Sequence, residues 1–439
     1  MKRKLIAAFC MLVMLLNVFG CSTDISEEDA RFLSYTTDIS GIEIPENVRV
    51  VALGESTHGT KEYHIMRKDV FSHLLNTYGC RTFLLEASFG SCLYINQYIL
   101  GGSEPATAGE AIQYLESWVY HTNEFKQLIE WMHDYNQTVE KDEQIHFYGV
   151  DMQESAYASA YLLTYIRSVF PDKAEEYEPL LSVLKEPSYT FENKDMSPVT
   201  NALVRIQEEM EQLQEPYIEN SSLYDYQIAQ ECVKALKEFI TDLSFDFIDP
   251  EKDLEKFAEG CAFRDSCMAA RAETILTLDQ ADMVFLTGHN AHVTRRSAIR
   301  EGIPPVKAMG ELLADRLGDA YFSIGTAFCE GSLKAIDYNQ GGYKEFYVKE
   351  EHPFIKLFAN LPGQNWYVNL SDIKEEDPAM QYLEEEHYIL NVGAVYSREL
   401  DFEGNKDVMA VRFPTILKNE WDGMLIYKQT NPTVIRTRF

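Results

Sequence analysis

The sequence is poor in basic residues and lacks the common cysteine motifs. Only 39 of its 439 residues are Lys or Arg, against 70 Asp or Glu, so the formal net charge is −31. Binding to nucleic acid or to anionic lipid through charge requires clustered Lys and Arg, so this balance argues against both. The 8 cysteines contain no CxxC pair and no Cys/His pair at zinc-finger spacing. We therefore interpret them as small buried side chains rather than as zinc ligands or a disulfide framework.

A basic head, residues 1–4, is followed by an uncharged apolar run of sixteen residues that ends at Gly20. That length is short for a membrane span and typical of a signal peptide. Val18-Phe19-Gly20 before Cys21 resembles a bacterial lipobox, which predicts lipidation of Cys21 and a tether over residues 21–34. The expected location is the cell membrane or outer membrane, on the extracytoplasmic side, with the lipid anchor as the one membrane contact.

Short apolar runs alternate with helical patterns, which indicates an α/β fold with a mainly parallel sheet flanked by helices. The runs that predict buried strands are 48–53, 82–85, 145–150, 283–286 and 321–324. Residues 154–278 predict helices alone, and we interpret them as a large all-helical insertion over the active cleft. The expected division of the chain is 1–20 signal peptide, 21–34 tether, 35–153 first part of the α/β core, 154–278 insertion, and 279–439 second part of the core with the C-terminal region.

Carboxylates and imidazoles follow four of the predicted strands. They are Glu55 with His58, then Glu86, then Asp151, and finally His289 with His292. Ligands of parallel α/β sheets bind at the carboxyl ends of the strands, so these side chains are expected to meet in one site. Asp151 also suits a helix N-cap, which is the structural alternative for that residue.

Three chemistries fit these residues. Ser56 is a nucleophile candidate, although His58 stands where the second glycine of G-x-S-x-G belongs. Metal ligation is a second option, although the sequence has no H-E-x-x-H. The third is hydrolysis without a metal, in which an imidazole takes a proton from water and a carboxylate orients the ring. Glu55 and His58 are close enough in sequence to face one pocket in this way.

Three residues away from the strand ends are further candidates. Trp118 and Glu124 precede the regular pattern of an amphipathic helix and could reach the cleft. Arg264 is a cation suited to a site with several carboxylates and to a developing oxyanion. Its alternative is an ion pair on a helix surface with Glu259 or Asp265.

The ordered motifs resemble the erythromycin esterase family, which also contains proteins labelled as succinoglycan biosynthesis proteins. Gly54-Glu55-Ser56-Thr57-His58-Gly59 with Glu62 is similar to the opening motif of that family. Further similarities follow in order: Phe83-Leu-Leu-Glu86, Trp118 with Glu124, Trp131-Met132 with Tyr135-Asn136, Tyr148-Gly149-Val150-Asp151, Arg264-Asp265 with Met268-Ala269, His289-Asn290-Ala291-His292, Met309-Gly310, and Trp421-Asp422 through Tyr427 to Pro432.

The resemblance implies an α/β core with a helical part over the cleft, and hydrolysis of the lactone ester of 14-membered macrolides. It implies that His58 is the general base and that Glu55 and Glu86 are its carboxylate partners. His289 is then the second essential imidazole and, with Arg264, stabilises the oxyanion. No cofactor is expected, and a bound divalent metal is compatible with the motifs but not required.

We therefore expect a hydrolase that attacks a small-molecule ester or lactone with water, with a macrolide as one candidate substrate. Trp118, Glu124, Asp151 and His292 are expected to contact the substrate. The export signal keeps a second substrate class open, namely envelope polysaccharides and their acyl esters. A metal-dependent hydrolase with the same site is another alternative. A tethered binding lipoprotein without turnover is disfavoured, because binding alone does not require paired imidazoles and carboxylates.

Overall fold

The computed structural model describes residues 31–436, so the expected signal peptide and Cys21 lie outside the described residues. Its strands are β1 (Thr36–Thr37), β2 (Val50–Glu55), β3 (Thr82–Ser88), β4 (His146–Asp151), β5 (Val284–His289), β6 (Tyr321–Asp337), β7 (Tyr343–Lys349), β8 (Asn365–Asn369), β9 (His387–Leu390), β10 (Val395–Tyr396), β11 (Arg412–Thr415) and β12 (Gly423–Thr430).

Helices alternate with these strands along the chain. They are α1 (Lys61–Tyr78), α2 (Phe89–Ile99), α3 (Ala108–Ile112), α4 (Asn123–Asn136), α5 (Ala156–Val169), α6 (Pro171–Leu181), α7 (Ser197–Gln212), α8 (Gln214–Glu219), α9 (Leu223–Asp246), α10 (Leu254–Leu278), α11 (Asn290–Val293), α12 (Met309–Leu317), α13 (Pro353–Lys356), α14 (Met380–Glu384) and α15 (Leu417–Glu420).

Ten of the described strands form one mostly parallel sheet, as the sequence predicts. The order across it is β1-β8-β12-β6-β2-β5-β3-β4, and β7 and β10 also pair with β6. Strands β6, β2, β5, β3 and β4 pair in parallel, so their carboxyl ends share one edge. Strand β1 pairs antiparallel with β8, β8 with β12, and β7 with β6, while β9 and β11 form a separate antiparallel pair.

Strand β6 is much longer than the apolar run at 321–324 that predicted it. Its first nine residues are all buried, and the residues after Cys329 alternate between buried and partly exposed positions. The second half pairs with β7 as an antiparallel hairpin, and most residues of β7 are exposed or partly exposed. Polar residues such as Thr326 interrupt the apolar run without ending the strand, because both faces of the sheet are covered there.

The connection from β4 to β5 contains helices and no strand, from α5 through α10. These helices share one hydrophobic cluster with the sheet. Val50, Tyr148 and Leu286 of the strands belong to the same cluster as Leu162 of α5 and Leu236 of α9. The opposite face of the sheet packs against α1 and α4 in a second cluster. The helical connection is therefore a layer of the core rather than a unit with a core of its own.

The chain enters this core earlier than the expected tether allows. Phe32 is buried and packs edge-on against Phe354 and Phe358, with ring centroids 5.6 and 5.1 Å away. Arg31 pairs with Asp377 at 2.9 Å. The last residues assigned to the tether at 21–34 thus belong to the fold. No helix among residues 31–436 is both long enough and apolar enough to span a bilayer.

Every cysteine in the described residues is a free thiol, and all but Cys261 are buried. Burial raises the pKa of Cys80 and of Cys267 to about 12, so these thiols stay protonated. The interpretation as small buried side chains is therefore confirmed for the described cysteines other than Cys261.

Candidate active site

Glu55 and His58 form a pair at the end of β2. His58 donates its Nδ1 hydrogen to Glu55 Oε1 over 2.8 Å, and 15% of the His58 side chain is exposed against 1% for Glu55. His58 lines a cavity, whereas Glu55 lies behind it. With Nδ1 occupied by the carboxylate, Nε2 is the ring nitrogen left to accept a proton. The pair therefore has the orientation of a general base with its supporting carboxylate.

A fully buried arginine, which the sequence analysis did not identify, holds Glu55 in place. Arg67 of α1 donates to Glu55 Oε2 and, over 2.6 Å, to His64 Nδ1. Its Nε also donates to Thr287 at 3.3 Å, and its guanidinium lies 5.8 Å from the ring centroid of Tyr120. The sequence feature that could have identified Arg67 is its position as a charged residue within the apolar stripe of α1.

His64 is part of this support and not a surface residue. Burial and the charge of Arg67 hold the pKa of His64 well below its ordinary value. The ring is therefore neutral, and its Nδ1 can accept the hydrogen bond from Arg67. A buried arginine needs such partners for its several donors, because an unpaired buried charge is costly.

Glu86 lies in a β-bulge at the end of β3. The register with β4 shifts between Leu85 and Ser88, and bulges of this kind redirect a side chain. Glu86 Oε2 accepts the backbone N–H of His289 at 2.6 Å. A Cβ atom on Gly288 would lie only 2.7 Å from Oε2. The glycine thus makes room for the carboxylate at this point.

Arg264 joins two of the strand-end carboxylates. From α10 its Nη2 donates to Asp151 Oδ2 at 2.6 Å and to Glu86 Oε1 at 3.0 Å. The alternative of a helix-surface ion pair with Glu259 or Asp265 is therefore not what the structure has. Although burial opposes ionisation of Glu86, the charges of His292 and Arg264 hold the pKa of that carboxyl well below its ordinary value.

His292 is the more basic imidazole of the site. Its Nδ1 donates to Asp265 Oδ1 at 2.8 Å, and Asp265 also accepts the backbone N–H of Met309 at 2.7 Å. His292 Nε2 lies 3.4 Å from Glu86 Oε1 and 3.2 Å from Arg264 Nη1. Burial favours the neutral ring, but the charges of Asp265 and Glu86 outweigh it and raise the pKa of His292 to about 9. His292 is therefore cationic at neutral pH.

His289 has the opposite protonation preference. Its ring centroid lies 4.8 Å from that of His58, with the planes at 47°. Its Nε2 donates to the backbone oxygen of Val392 at 3.1 Å. Burial, together with the neighbouring His58, lowers the pKa of His289 to about 3. The ring is neutral at pH 7, and its Nδ1 can accept a hydrogen bond but cannot donate one.

These side chains meet in a cavity of about 450 Å³ at the carboxyl ends of the strands. The predicted residues that line it are His58, Glu86, Asp151, Arg264, His289 and His292. Glu154, which the sequence analysis did not single out, also lines it. Burial and the neighbouring Glu116 raise the pKa of Glu154 to about 9, so this carboxyl is protonated at neutral pH.

Three candidates lie away from this cavity. The Trp118 ring packs against Tyr343 with centroids 5.2 Å apart. Glu124 Oε1 lies 4.0 Å from Lys61 Nζ. Neither residue lines the cavity. Ser56 is buried, and its hydroxyl is hydrogen-bonded to Tyr63 at 2.7 Å, so the geometry does not support it as a nucleophile.

Each of the strand-end carboxylates is paired with an arginine. Glu55 pairs with Arg67, while Glu86 and Asp151 share Arg264. Across residues 31–436, no three His, Cys, Asp or Glu side chains converge with the spacing of a metal site. Imidazoles beside carboxylates suit proton transfer, and the cations of the site suit stabilisation of an anion.

The fold and the cavity define an α/β protein with paired imidazoles and carboxylates at the ends of parallel strands. The chain belongs to the erythromycin esterase family, whose sequence model matches residues 75–430. The matched region includes Glu86, Asp151, Arg264 and the two histidines of β5 and α11, whereas Glu55 and His58 precede it.

A curated relative and several solved structures are similar to this chain. The chain is 21% identical to erythromycin esterase type II of Escherichia coli over 306 residues, which cover 66% of this chain and 71% of that protein. A protein of Bacillus cereus has a TM-score of 0.75 at 20% identity, covering 93% of this chain and 99% of its own.

Two further solved structures have the same fold. A succinoglycan biosynthesis protein has a TM-score of 0.74 at 20% identity, covering 95% of this chain and all of its own. A histidine-to-asparagine mutant of the erythromycin esterase EreC, in its open conformation, has a TM-score of 0.61 at 13% identity, covering 88% of this chain and 91% of its own.

Proposed function

We propose that the protein hydrolyses a carboxylic ester or lactone of a small molecule, with His58 as the general base on water. Membership of the erythromycin esterase family supports ester hydrolysis. The observation that carries the mechanism is the His58–Glu55 pair, which turns a free ring nitrogen toward a cavity beside a second imidazole.

The first step is proton transfer from water to His58 Nε2, while the water oxygen attacks the carbonyl carbon. Glu55, which Arg67 fixes in place, stabilises the imidazolium that forms. His289 Nδ1 accepts the other hydrogen of the water and so orients it, because its Nε2 is committed to Val392. In this mechanism His289 positions the nucleophile, which differs from the oxyanion role expected for it from the sequence.

Positive charge for the oxyanion comes from Arg264 and His292. Both line the cavity, and both are cationic at neutral pH. Cations stabilise a developing oxyanion best when they are already held in position before the reaction. Three carboxylates hold Arg264 and His292 in this way: Glu86, Asp151 and Asp265. When the tetrahedral intermediate collapses, His58 returns its proton to the leaving alkoxide.

The substrate and the location are proposed on separate grounds. A macrolide lactone is the first candidate, since the E. coli relative is an erythromycin esterase. Acyl esters of envelope polysaccharide are the second, which the name of the succinoglycan biosynthesis protein suggests. The leader at 1–20 and Cys21 support a lipid-anchored enzyme on the extracytoplasmic side, and fatty-acid labelling of wild type against Cys21→Ala tests it.

The test of the function is a panel of erythromycin, p-nitrophenyl acetate and an acetylated envelope glycan. We expect hydrolysis of at least one, and His58→Ala should lower kcat/KM by about 10²–10⁴-fold, the usual contribution of a general base. The control is His133→Ala, which changes a partly exposed ring on α4. Circular dichroism should be unchanged in both variants. Equal rates for wild type and His58→Ala would refute the assignment.

A further inference from the structure

A second cavity of about 280 Å³ adjoins the reaction cavity. His292 lines both. Two backbone segments also border both: Asn290 lines the second cavity and His289 the first, while Asn391 lines the second and Gly393 the first. The two cavities are therefore neighbouring chambers with a common wall.

The second chamber is lined mainly by apolar side chains, in contrast to the first. They include Phe257, Ile303, Val306, Ile389, Phe413 and Trp421. These side chains come from α10, from the segment between α11 and α12, and from the C-terminal third of the chain. Apolar walls of this kind gain free energy when they exchange water for hydrocarbon.

The acidic and basic side chains in the described wall of this chamber are Asp265, His292, Arg300 and Glu420. Asp265 is paired with His292. Arg300 donates to the backbone oxygen of Val408 at 3.0 Å, and its guanidinium lies over the ring of Phe413 at 4.6 Å. Glu420 accepts a backbone hydrogen bond, and burial raises its pKa to about 8, so it is protonated at neutral pH. A cationic occupant therefore finds no free carboxylate in the described wall. An anionic one would meet His292, which is already paired, and the Arg300 guanidinium, which is already bound to backbone oxygens and stacked on Phe413, so the apolar side chains favour an uncharged occupant.

Two buried side-chain atoms of the described wall have no hydrogen-bond partner, Asn391 Oδ1 and Thr415 Oγ1. Asn391 is only 7% exposed, and its Oδ1 is buried with no hydrogen-bond partner. Such an acceptor costs about 1–3 kcal/mol unless a donor meets it. A hydrocarbon arm that carries a hydroxyl would meet both the apolar walls and this acceptor.

We propose that this chamber is a subsite for an uncharged, mainly hydrocarbon arm of the substrate, which it takes up while the ester group sits beside His58 and His289. The inference rests on the proposed ester hydrolysis and specifies which esters the site prefers. The shared wall at His292 places the chamber next to the carbonyl position, so acyl chains longer than acetyl are selected.

A chain-length series tests the subsite. For p-nitrophenyl acetate, butyrate, hexanoate and octanoate, we expect kcat/KM of the wild type to rise with length, by up to about fourfold per buried methylene. Ala298→Phe should fill the chamber from its wall, abolish the rise and change acetate hydrolysis less than about twofold. Ile299→Phe is the matched control, because the neighbouring Ile299 is 70% exposed and is not part of the chamber wall. A rise that persists in Ala298→Phe overturns the proposal.

Binding of 1-octanol provides a readout that does not depend on turnover. Trp421 lines the chamber, so octanol should give a saturable change in its fluorescence in wild type and Ile299→Phe. The change should be lost in Ala298→Phe, and Trp421→Phe identifies the source of the signal. If octanol binds in this pattern but no ester is hydrolysed, the proposed function fails and the subsite stands. If esters are hydrolysed but octanol produces no Trp421-dependent change, the subsite is refuted alone.

Discussion

His292 couples the stability of the protein to pH in a direction that can be measured. Its folded-state pKa of about 9 exceeds the ordinary 6.5 because Asp265 and Glu86 stabilise the cation. The folded state therefore binds a proton that the unfolded state releases between these two values. The stabilising contribution is complete below about pH 6.5, and it is lost as the pH rises through about 9.

The magnitude follows from the size of the shift. A rise of about 2.5 pKa units corresponds to about 3 kcal/mol at 1.36 kcal/mol per unit, as an upper value. Little discount for solvent applies, because only 20% of the side chain is exposed. Titration of the neighbouring His289 does not contribute in this pH range. Its pKa is about 3 in the folded state, so its own effect on stability falls below pH 6.5.

The assay is urea unfolding of wild type and His292→Gln at pH 6.5, 7.5, 8.5 and 9.5. The stability difference between them should shrink by about 3 kcal/mol across that range. In Asp265→Asn, the stability should depend on pH less steeply than in wild type but more steeply than in His292→Gln. The amide oxygen can still accept the Met309 N–H, but the charge that helps Glu86 raise the pKa of His292 is gone. A difference that stays constant with pH would refute the assigned cation at His292.

Four other outcomes are expected. Arg271→Leu, which strips a fully buried cation of α10 from two glutamates, should destabilise the fold by about 3–5 kcal/mol. Arg167 forms an exposed ion pair with Glu178, so Arg167→Leu should change the free energy of unfolding by no more than about 1 kcal/mol in the same urea assay. Gly288→Ala should lower kcat/KM at least tenfold with little change in secondary structure, because its Cβ would displace Glu86; an unchanged rate would contradict that role. Dialysis against a chelator should leave hydrolysis intact, checked by metal analysis, and lost activity restored by a divalent ion would favour the metal-dependent alternative.

The sequence predicts the parallel sheet and its strand ends because both depend on local pattern. Apolar runs identify buried strands, and parallel strands present their ends on one edge. Glu86, Asp151 and His289 could therefore be assigned to one site from the sequence alone. The direction of a side chain before a helix has no such pattern, which is why Trp118 and Glu124 were expected at the cavity and are not there.

Other parts of the site depend on partners that are distant along the chain. Arg264 could pair with a carboxylate on its own helix or with carboxylates 113 and 178 residues away, and sequence spacing does not show which pairing forms. The tautomer of His289 is fixed by the Val392 oxygen, 103 residues away. Arg67 was missed because a charged residue on an apolar helix face becomes meaningful only when its buried partners are known.

In the proposed mechanism, the position of Arg264 on α10 makes activity depend on the docking of one helix. Its two carboxylate partners belong to β3 and β4, so lifting α10 from the sheet would leave both of those buried charges without their cation. Partial loosening of that helix would therefore remove Arg264 from the proposed oxyanion site and also leave Glu86 and Asp151 to repel each other. Activity should therefore be lost at a lower denaturant concentration than the one that unfolds the sheet, because it requires Arg264 to remain docked with the helical layer on the strand ends.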